Sequence, residues 1–177
     1  TAAVPVIREY VGTVAAYRSV EITARVEGFL EARHFTDGTD VRKGDLLYTI
    51  DPAQYQAKVR DAEAELARAA ANLGNARAKA ERLAPLAKEE AISQQDFDDA
   101  VAAQKAAEAQ VESARANLET AKLNLGYTSV YATESGRIGE TQVPEGRLVG
   151  RGTPTLLATI DKIDPIYVSF TTPDRDA

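Results

Sequence analysis

The residues of this chain that could do chemistry are few and are poorly placed for it. His34 is the single histidine in 177 residues, and there is no cysteine. With no Cys or second His to share a metal, His34 reads as a surface or packing residue, and disulfides and thiolate metal sites are excluded. The glycines from Gly136 to Gly152 approach a phosphate cradle only in density. No Lys-Ser/Thr follows them and no helix opens there, so they read as turn chemistry. Acidic residues between Asp51 and Leu125 are interspersed with Lys and Arg, the pattern of a solvated helix face. No nucleophile, base and orienting group can be assembled, and the sequence reads as a non-enzyme without cofactor or metal.

Bulk properties narrow the classes further. The net charge of −6 argues against a nucleic-acid partner. No apolar run approaches the roughly 20 residues that span a bilayer. No signal peptide opens the chain, and Thr1 reads as a mature or trimmed start.

The elements that position any functional residue are dominated by one stretch, Asp51 to Leu125. Tyr55, Val59, Ala62, Leu66, Ala69, Leu73, Ala76, Ala80, Leu83 and Ala87 recur in steps of four and three. Phe97, Ala100, Gln104, Ala107, Val111, Ala114, Leu118, Ala121 and Leu125 do the same. Two sustained heptad patterns predict an antiparallel coiled-coil hairpin that reverses near Glu90. Seam partners are then residues whose numbers add to about 180, within the two heptad registers. Leu66 faces Ala114, Leu73 faces Ala107, Ala62 faces Leu118 and Leu83 faces Phe97, so large meets small at nearly every layer. Gln104 opposite Ala76 is the one polar layer, suited to fixing register. A first helix of about 36 residues is a rod of roughly 54 Å, too long for a domain of this size to bury, so it is expected to project.

Local signals mark the ends of the rod. Asp51-Pro52 predicts an N-cap followed by Pro at the first helical position. Ser93 with Asp96 predicts a capping box for the second helix, and Gly126 its C-terminal stop. Pro85 predicts a kink or fraying between Glu81 and Leu86.

A repeat surrounds the hairpin. Val20, Ile22, Ala24 and Val26 alternate as a half-buried strand, followed by Gly28, Phe29-Leu30, turns at Asp37-Gly38 and Arg42-Lys43-Gly44, and a strand from Leu46 to Ile50. The same landmarks return from 126 to 161. Ala24 matches Ala132, Gly28 matches Gly136, Gly38 matches Gly146, Val41 matches Val149 and Gly44 matches Gly152. After a two-residue insertion, Leu47 matches Leu157 and Ile50 matches Ile160. Neither copy can bury a face alone, which predicts a single flattened sandwich made from both. Residues 1–17 read as extended, and Pro165 to Thr171 alternates like a strand of a further β domain.

A two-copy sandwich interrupted by a long antiparallel coiled coil resembles the periplasmic adaptors, or membrane-fusion proteins, of the resistance-nodulation-division (RND) efflux pumps, within the HlyD-like superfamily. The lipoyl-like half motif stands here as Val26-Glu27-Gly28-Phe29-Leu30 through Gly38, Val41, Lys43-Gly44, Leu46-Leu47 and Ile50-Asp51. Its second copy stands as Leu125-Gly126-Tyr127-Thr128, Gly136-Arg137-Ile138-Gly139, Gly146, Val149 and Leu156. Ile163 to Phe170 resembles the entry to the family's β-barrel domain. Where the family has Ala-Pro and an apolar residue before the second glycine, this chain has Ala132-Thr133-Glu134-Ser135.

The resemblance implies an α+β fold: a lipoyl-like β-sandwich (18–51 and 126–161) split by an α-helical coiled-coil hairpin (52–125). Residues 1–17 and 162–177 would be fragments of an adjoining β-barrel domain. It implies a periplasmic subunit that couples an inner-membrane RND transporter to an outer-membrane channel, self-associates into a ring (trimer or hexamer), and is anchored through a segment before Thr1. The family's Arg, Leu and Ser implicated in docking to the channel fall on Arg82, Leu86 and Ser93. Two other readings stay open: an adaptor of the same plan serving an ABC-type efflux or type I secretion system, and a lipoyl or biotinyl carrier. A carrier needs a modified Lys at the turn joining the halves. Here that turn is Asp51-Pro52, filled by the hairpin, and Lys162 lies past the second half.

Overall fold

The computed structural model describes residues 11–152 and 154–170; the readings made for 1–10 and 171–177 lie outside these. The chain divides into two compact units, Thr1–Ile50 with Ser129–Ala177, and Asp51–Thr128. The class is α+β, with two helices and antiparallel sheets.

The described residues of the first unit form eight strands: β1 (Gly12–Ala24), β2 (Gly28–Arg33), β3 (Asp40–Val41), β4 (Leu46–Ile50), β5 (Ser129–Tyr131), β6 (Gly136–Ile138), β7 (Leu148–Val149) and β8 (Thr155–Phe170). They form two four-stranded sheets in the orders β1-β8-β6-β3 and β5-β4-β2-β7. Exchange β1 to β4 with β5 to β8 and each order turns into the other. The internal repeat is therefore a pseudo-two-fold, and every sheet takes two strands from each copy. The copies interleave, because a copy of four strands has no second layer on which to bury its apolar face.

The core follows the repeat position by position. Ala24 and Ala132, Leu30 and Ile138, Val41 and Val149, Leu47 and Leu157, and Ile50 and Ile160 are all buried. The turn glycines match as well: φ is 76° at Gly38 and 82° at Gly146, and 93° at Gly44 and 77° at Gly152. One core pair is unequal, since Tyr48 occupies the place that Ala158 has in the other copy. The Tyr48 hydroxyl donates to the Leu157 carbonyl at 3.1 Å and shares a 2.8 Å hydrogen bond with Thr141. Burial holds this phenol above its ordinary pKa.

The stretch that departs from the family pattern is tied down at both ends. Ala132 donates to the Asp45 carbonyl and accepts from Gly44, each at 2.8 Å. Ser135 Oγ accepts from the Lys43 N–H at 2.8 Å. Backbone and hydroxyl groups here secure the turn between β3 and β4.

The long strands β1 and β8 differ from the sequence reading. The first strand begins at Gly12 and joins the extended segment to the alternating strand that ends at Ala24, and β8 joins in one strand the segments read separately on either side of Asp161. They pair antiparallel from Gly12↔Phe170 to Ala24↔Thr155. Between Ala16↔Ile166 and Arg18↔Lys162, Tyr17 alone opposes Ile163, Asp164 and Pro165. Pro165 has no N–H to give the ladder, which favours a bulge at this position. Beyond the bulge the pair continues as a two-stranded ribbon, with Tyr17 stacked on Tyr167 at 5.5 Å between ring centroids. His34 is exposed and shares a 2.8 Å hydrogen bond with Thr49, as a surface residue of this unit.

The second unit is α1 (Ala53–Lys88) and α2 (Gln94–Gly126). Pro52 already has helical dihedrals, and the Asp51 carboxylate accepts from the Ala53 N–H at 2.9 Å, two residues on, as a cap does. The far end of α2 stops differently from the expectation. Gly126 is its last helical residue, with no left-handed turn, and Tyr127 follows in a right-handed conformation. The buried Thr128 closes the helix, its hydroxyl donating to the Leu125 carbonyl at 2.7 Å. A side-chain donor there does what a glycine turn does elsewhere.

Candidate functional site at the hairpin turn

The hairpin is zipped as its spacing predicts. All nineteen seam positions from Tyr55 to Ala87 and from Phe97 to Leu125 are buried or half-buried. The most buried are Tyr55, Val59, Ala69, Ala80, Ala100, Ala114 and Leu118. Leu66, Leu73 and Leu83 stay half-exposed, because a helix with one neighbour covers only one side of a large seam residue. Gln104 lies in the seam, but its amide donates to Glu108 on its own helix at 2.9 Å, so no polar bridge crosses at that layer. The ion pair between the helices is Lys122 with Glu63, at 3.8 Å on the surface.

The helix does not fray at Pro85: α1 runs through it to Lys88. Pro85 sits in the last turn, where it removes one hydrogen bond and its own carbonyl is reused by the turn that follows. Glu89 N–H donates to Pro85 at 3.1 Å, Glu90 N–H to Ala87 at 3.2 Å and Ala91 N–H to Leu86 at 2.9 Å. The last two bonds make a complete Schellman motif, which places Glu90 in the left-handed region with φ of 55°. Glycine or asparagine is the usual occupant there, and nothing in the glycine-free stretch 81–99 signalled this conformation.

The turn fixes where the three candidate residues stand. Ser93 has extended dihedrals and opens α2, its hydroxyl accepting from Gln95 at 3.2 Å. The partner is the N–H two residues on, not that of Asp96 as a capping box requires. Arg82 and Leu86 lie on the last two turns of α1, one turn apart on nearly one face. Leu86 is 39% exposed, and its carbonyl is held by the turn. Arg82 is exposed and makes no ion pair among the described residues, whereas Arg68, Arg77 and Arg115 are held by Glu65, Glu81 and Glu112. The turn thus brings a free cation, an exposed apolar side chain and a helix-opening hydroxyl to one end of the hairpin. That set suits protein recognition. Among the described residues no group of three His, Cys, Asp or Glu is placed to hold a metal, and no helix is long and apolar enough to cross a membrane.

This architecture has relatives. The family model for the RND MFP barrel-sandwich hybrid domain matches residues 18–161. The multidrug export protein AcrE of Escherichia coli (strain K12) is 44% identical over 176 residues, which cover 99% of this chain and 46% of that protein. The multidrug resistance protein MdtA of Proteus mirabilis (strain HI4320) is 40% identical over 173 residues, covering 98% of this chain and 42% of that protein. Among solved structures, a MacA-MexA chimera containing the Pseudomonas aeruginosa MexA α-hairpin domain superposes with a TM-score of 0.61 at 28% identity. It covers 93% of this chain and 55% of the chimera. The chain spans less than half the length of these two curated relatives.

Proposed function

The chain belongs to the family of RND membrane-fusion proteins, and on that premise we propose that it is the central part of a periplasmic adaptor coupling an inner-membrane RND transporter to an outer-membrane channel in drug efflux. In this reading it is a structural coupler and not a catalyst, anchored at the inner membrane in the complete protein and assembled as a ring of copies. The family match across both sandwich copies and the intervening hairpin is the observation that carries it. The names of the relatives, a multidrug export protein and a multidrug resistance protein, support the transport class.

Docking to the channel is assigned to Arg82, Leu86 and Ser93. Neither Arg82 nor Leu86 belongs to the seam, so neither holds the helices together and losing them costs little stability. An exposed cation and an exposed leucine one turn apart beside a tight turn offer a partner one charge and one apolar contact. Ser93 is a less clean target, because removing an N-cap costs about 1 kcal/mol in its own right.

The test is made in the complete protein with Arg82→Asp, Leu86→Asp and the seam control Ala69→Ser. Drug susceptibility and cross-linking to the outer-membrane channel are the readouts. Both tip variants are expected to lose resistance and cross-linking while expression and helical content stay normal. Wild-type resistance and cross-linking in both would reject the docking role.

A further inference from the structure

Six described residues have a backbone in the left-handed region, and five of them are glycines: Gly38, Gly44, Gly146, Gly150 and Gly152. At Gly38, Gly44, Gly146 and Gly152 an added Cβ would meet nothing within 4 Å. Glycine stands at those four for its backbone alone, although there is room for a side chain. The sixth residue is Glu90, with φ of 55°. Glutamate lacks even the short polar side chain that lets Asn and Asp enter this region.

A second local preference fails at the same residue. Glu90 follows the C-terminus of α1, where the helix dipole is negative and a carboxylate is disfavoured. It stands before the Ser93 cap, outside the first turn of α2 that would favour an acid. Nothing inside the chain offsets either cost. Glu90 is exposed, belongs to no seam layer, and its carboxylate has no hydrogen bond or ion pair among the described residues. Its backbone is nevertheless held on both sides, the Glu90 N–H on Ala87 at 3.2 Å and the Ala91 N–H on Leu86 at 2.9 Å. The turn therefore presents a free carboxylate from a fixed Cα.

Strain and frustrated charge that a fold does not need collect where a residue serves a partner. We propose that Glu90 is a specificity residue of the docking surface, its carboxylate taking a Lys or Arg side chain of the outer-membrane channel. This rests on the docking role proposed above for Arg82, Leu86 and Ser93, and adds a recognition element of opposite sign. Arg82, Leu86 and Glu90 follow one another at equal spacing in the chain as cation, apolar group and anion. Such a surface favours one orientation of its partner, because reversing the partner brings like charges together. Arg82 and Leu86 alone accept any surface that sets an acid beside an apolar group, and the requirement for a base at Glu90 excludes most of these. The pinned backbone limits the freedom lost on binding, so the carboxylate needs little reordering to make the contact.

The test is made in the complete protein with Glu90→Gly, Glu90→Gln and Glu89→Gln. The readouts are thermal unfolding of the helical signal, drug susceptibility, and cross-linking to the outer-membrane channel at low and high salt. Glu90→Gly is expected to unfold a few degrees above the wild type and yet to lose cross-linking about tenfold. Glu90→Gln keeps the shape of the side chain and should lose as much, with cross-linking that responds less to salt than the wild type's. Glu89→Gln removes an exposed carboxylate one residue away, on an ordinary backbone, and should stay within about twofold of the wild type. Wild-type cross-linking in Glu90→Gln, an equal loss in Glu89→Gln, or a lowered unfolding temperature in Glu90→Gly would each overturn the proposal. Losses confined to Arg82→Asp and Leu86→Asp reject the Glu90 contact alone, whereas wild-type behaviour of every tip variant rejects docking as a whole.

Discussion

The sandwich and the hairpin bury their apolar residues in different ways. In the sandwich, Leu47, Tyr48, Ile50, Ile138, Val149, Leu157 and Ala158 are sealed at 0% exposure between two sheets. In the hairpin the tight positions are mostly alanines, and the seam leucines Leu66, Leu73 and Leu83 keep one flank in water. Two layers can enclose a large side chain, whereas two helices enclose only what is small enough to fit between them. The sandwich therefore draws stability from the volume of its buried residues, and the hairpin from closeness of approach along a long seam.

That contrast can be broken most severely in the sandwich. Leu47→Ala and Leu157→Ala should each cost about 2–5 kcal/mol by creating a cavity in a closed core. As repeat-related positions they should cost amounts within about 1 kcal/mol of each other, by urea denaturation followed in the β signal. A large inequality would mean that the two-fold holds for the chain path but not for the packing.

Leu73→Asp in the hairpin is expected to be milder, about 2–3 kcal/mol, because the seam is only half-closed and the carboxylate can reach water. Helical circular dichroism should fall while the β signal persists. Joint loss of both signals would show that the two units are not independent.

The smallest effect sharpens the account of the turn. Glu90→Gly should stabilise the hairpin by about 0.5–1 kcal/mol, since a left-handed conformation costs glycine nothing sterically while glycine's greater unfolded freedom offsets part of the gain. Unchanged or lowered thermal stability of the helical signal would show that the Glu90 side chain contributes something to the folded turn.

The hairpin was the most legible part of the sequence because its signal is summed over many positions. Nineteen seam residues outvoted Pro85, and the helix runs through it. The repeat was legible from spaced glycines and apolar residues, since both copies need the same turns and the same core. Strand partners were not, because alternation tells which face is buried but not which strand lies alongside. Local caps were read by residue type, and there the detail slipped. Ser93 does cap α2, but through Gln95, and the end assigned to Gly126 is closed by the Thr128 hydroxyl. The recognition proposed for the turn rests on family resemblance alone, as an exposed Arg, Leu and Ser have no spacing of their own that specifies a partner.

The interleaving of the copies has a kinetic consequence. β4 must find β5, and β1 must find β8, across the whole hairpin sequence, so no sheet can be completed from one copy alone. Closing so long an unstructured loop is slow, and folding rates fall as contacts become more distant in sequence. The hairpin removes that obstacle if it zips first, because its seam grows outward from a five-residue turn through local contacts. Once zipped, it brings Ile50 and Ser129 together as the ends of one finished insert. The expected order is hairpin before sandwich, read by pulsed hydrogen exchange as protection in α1 and α2 ahead of β4 and β5. Simultaneous protection would instead mark a single concerted step. On this account the coiled coil serves the sandwich during folding as a splint, holding two distant strand ends together while the sheets assemble.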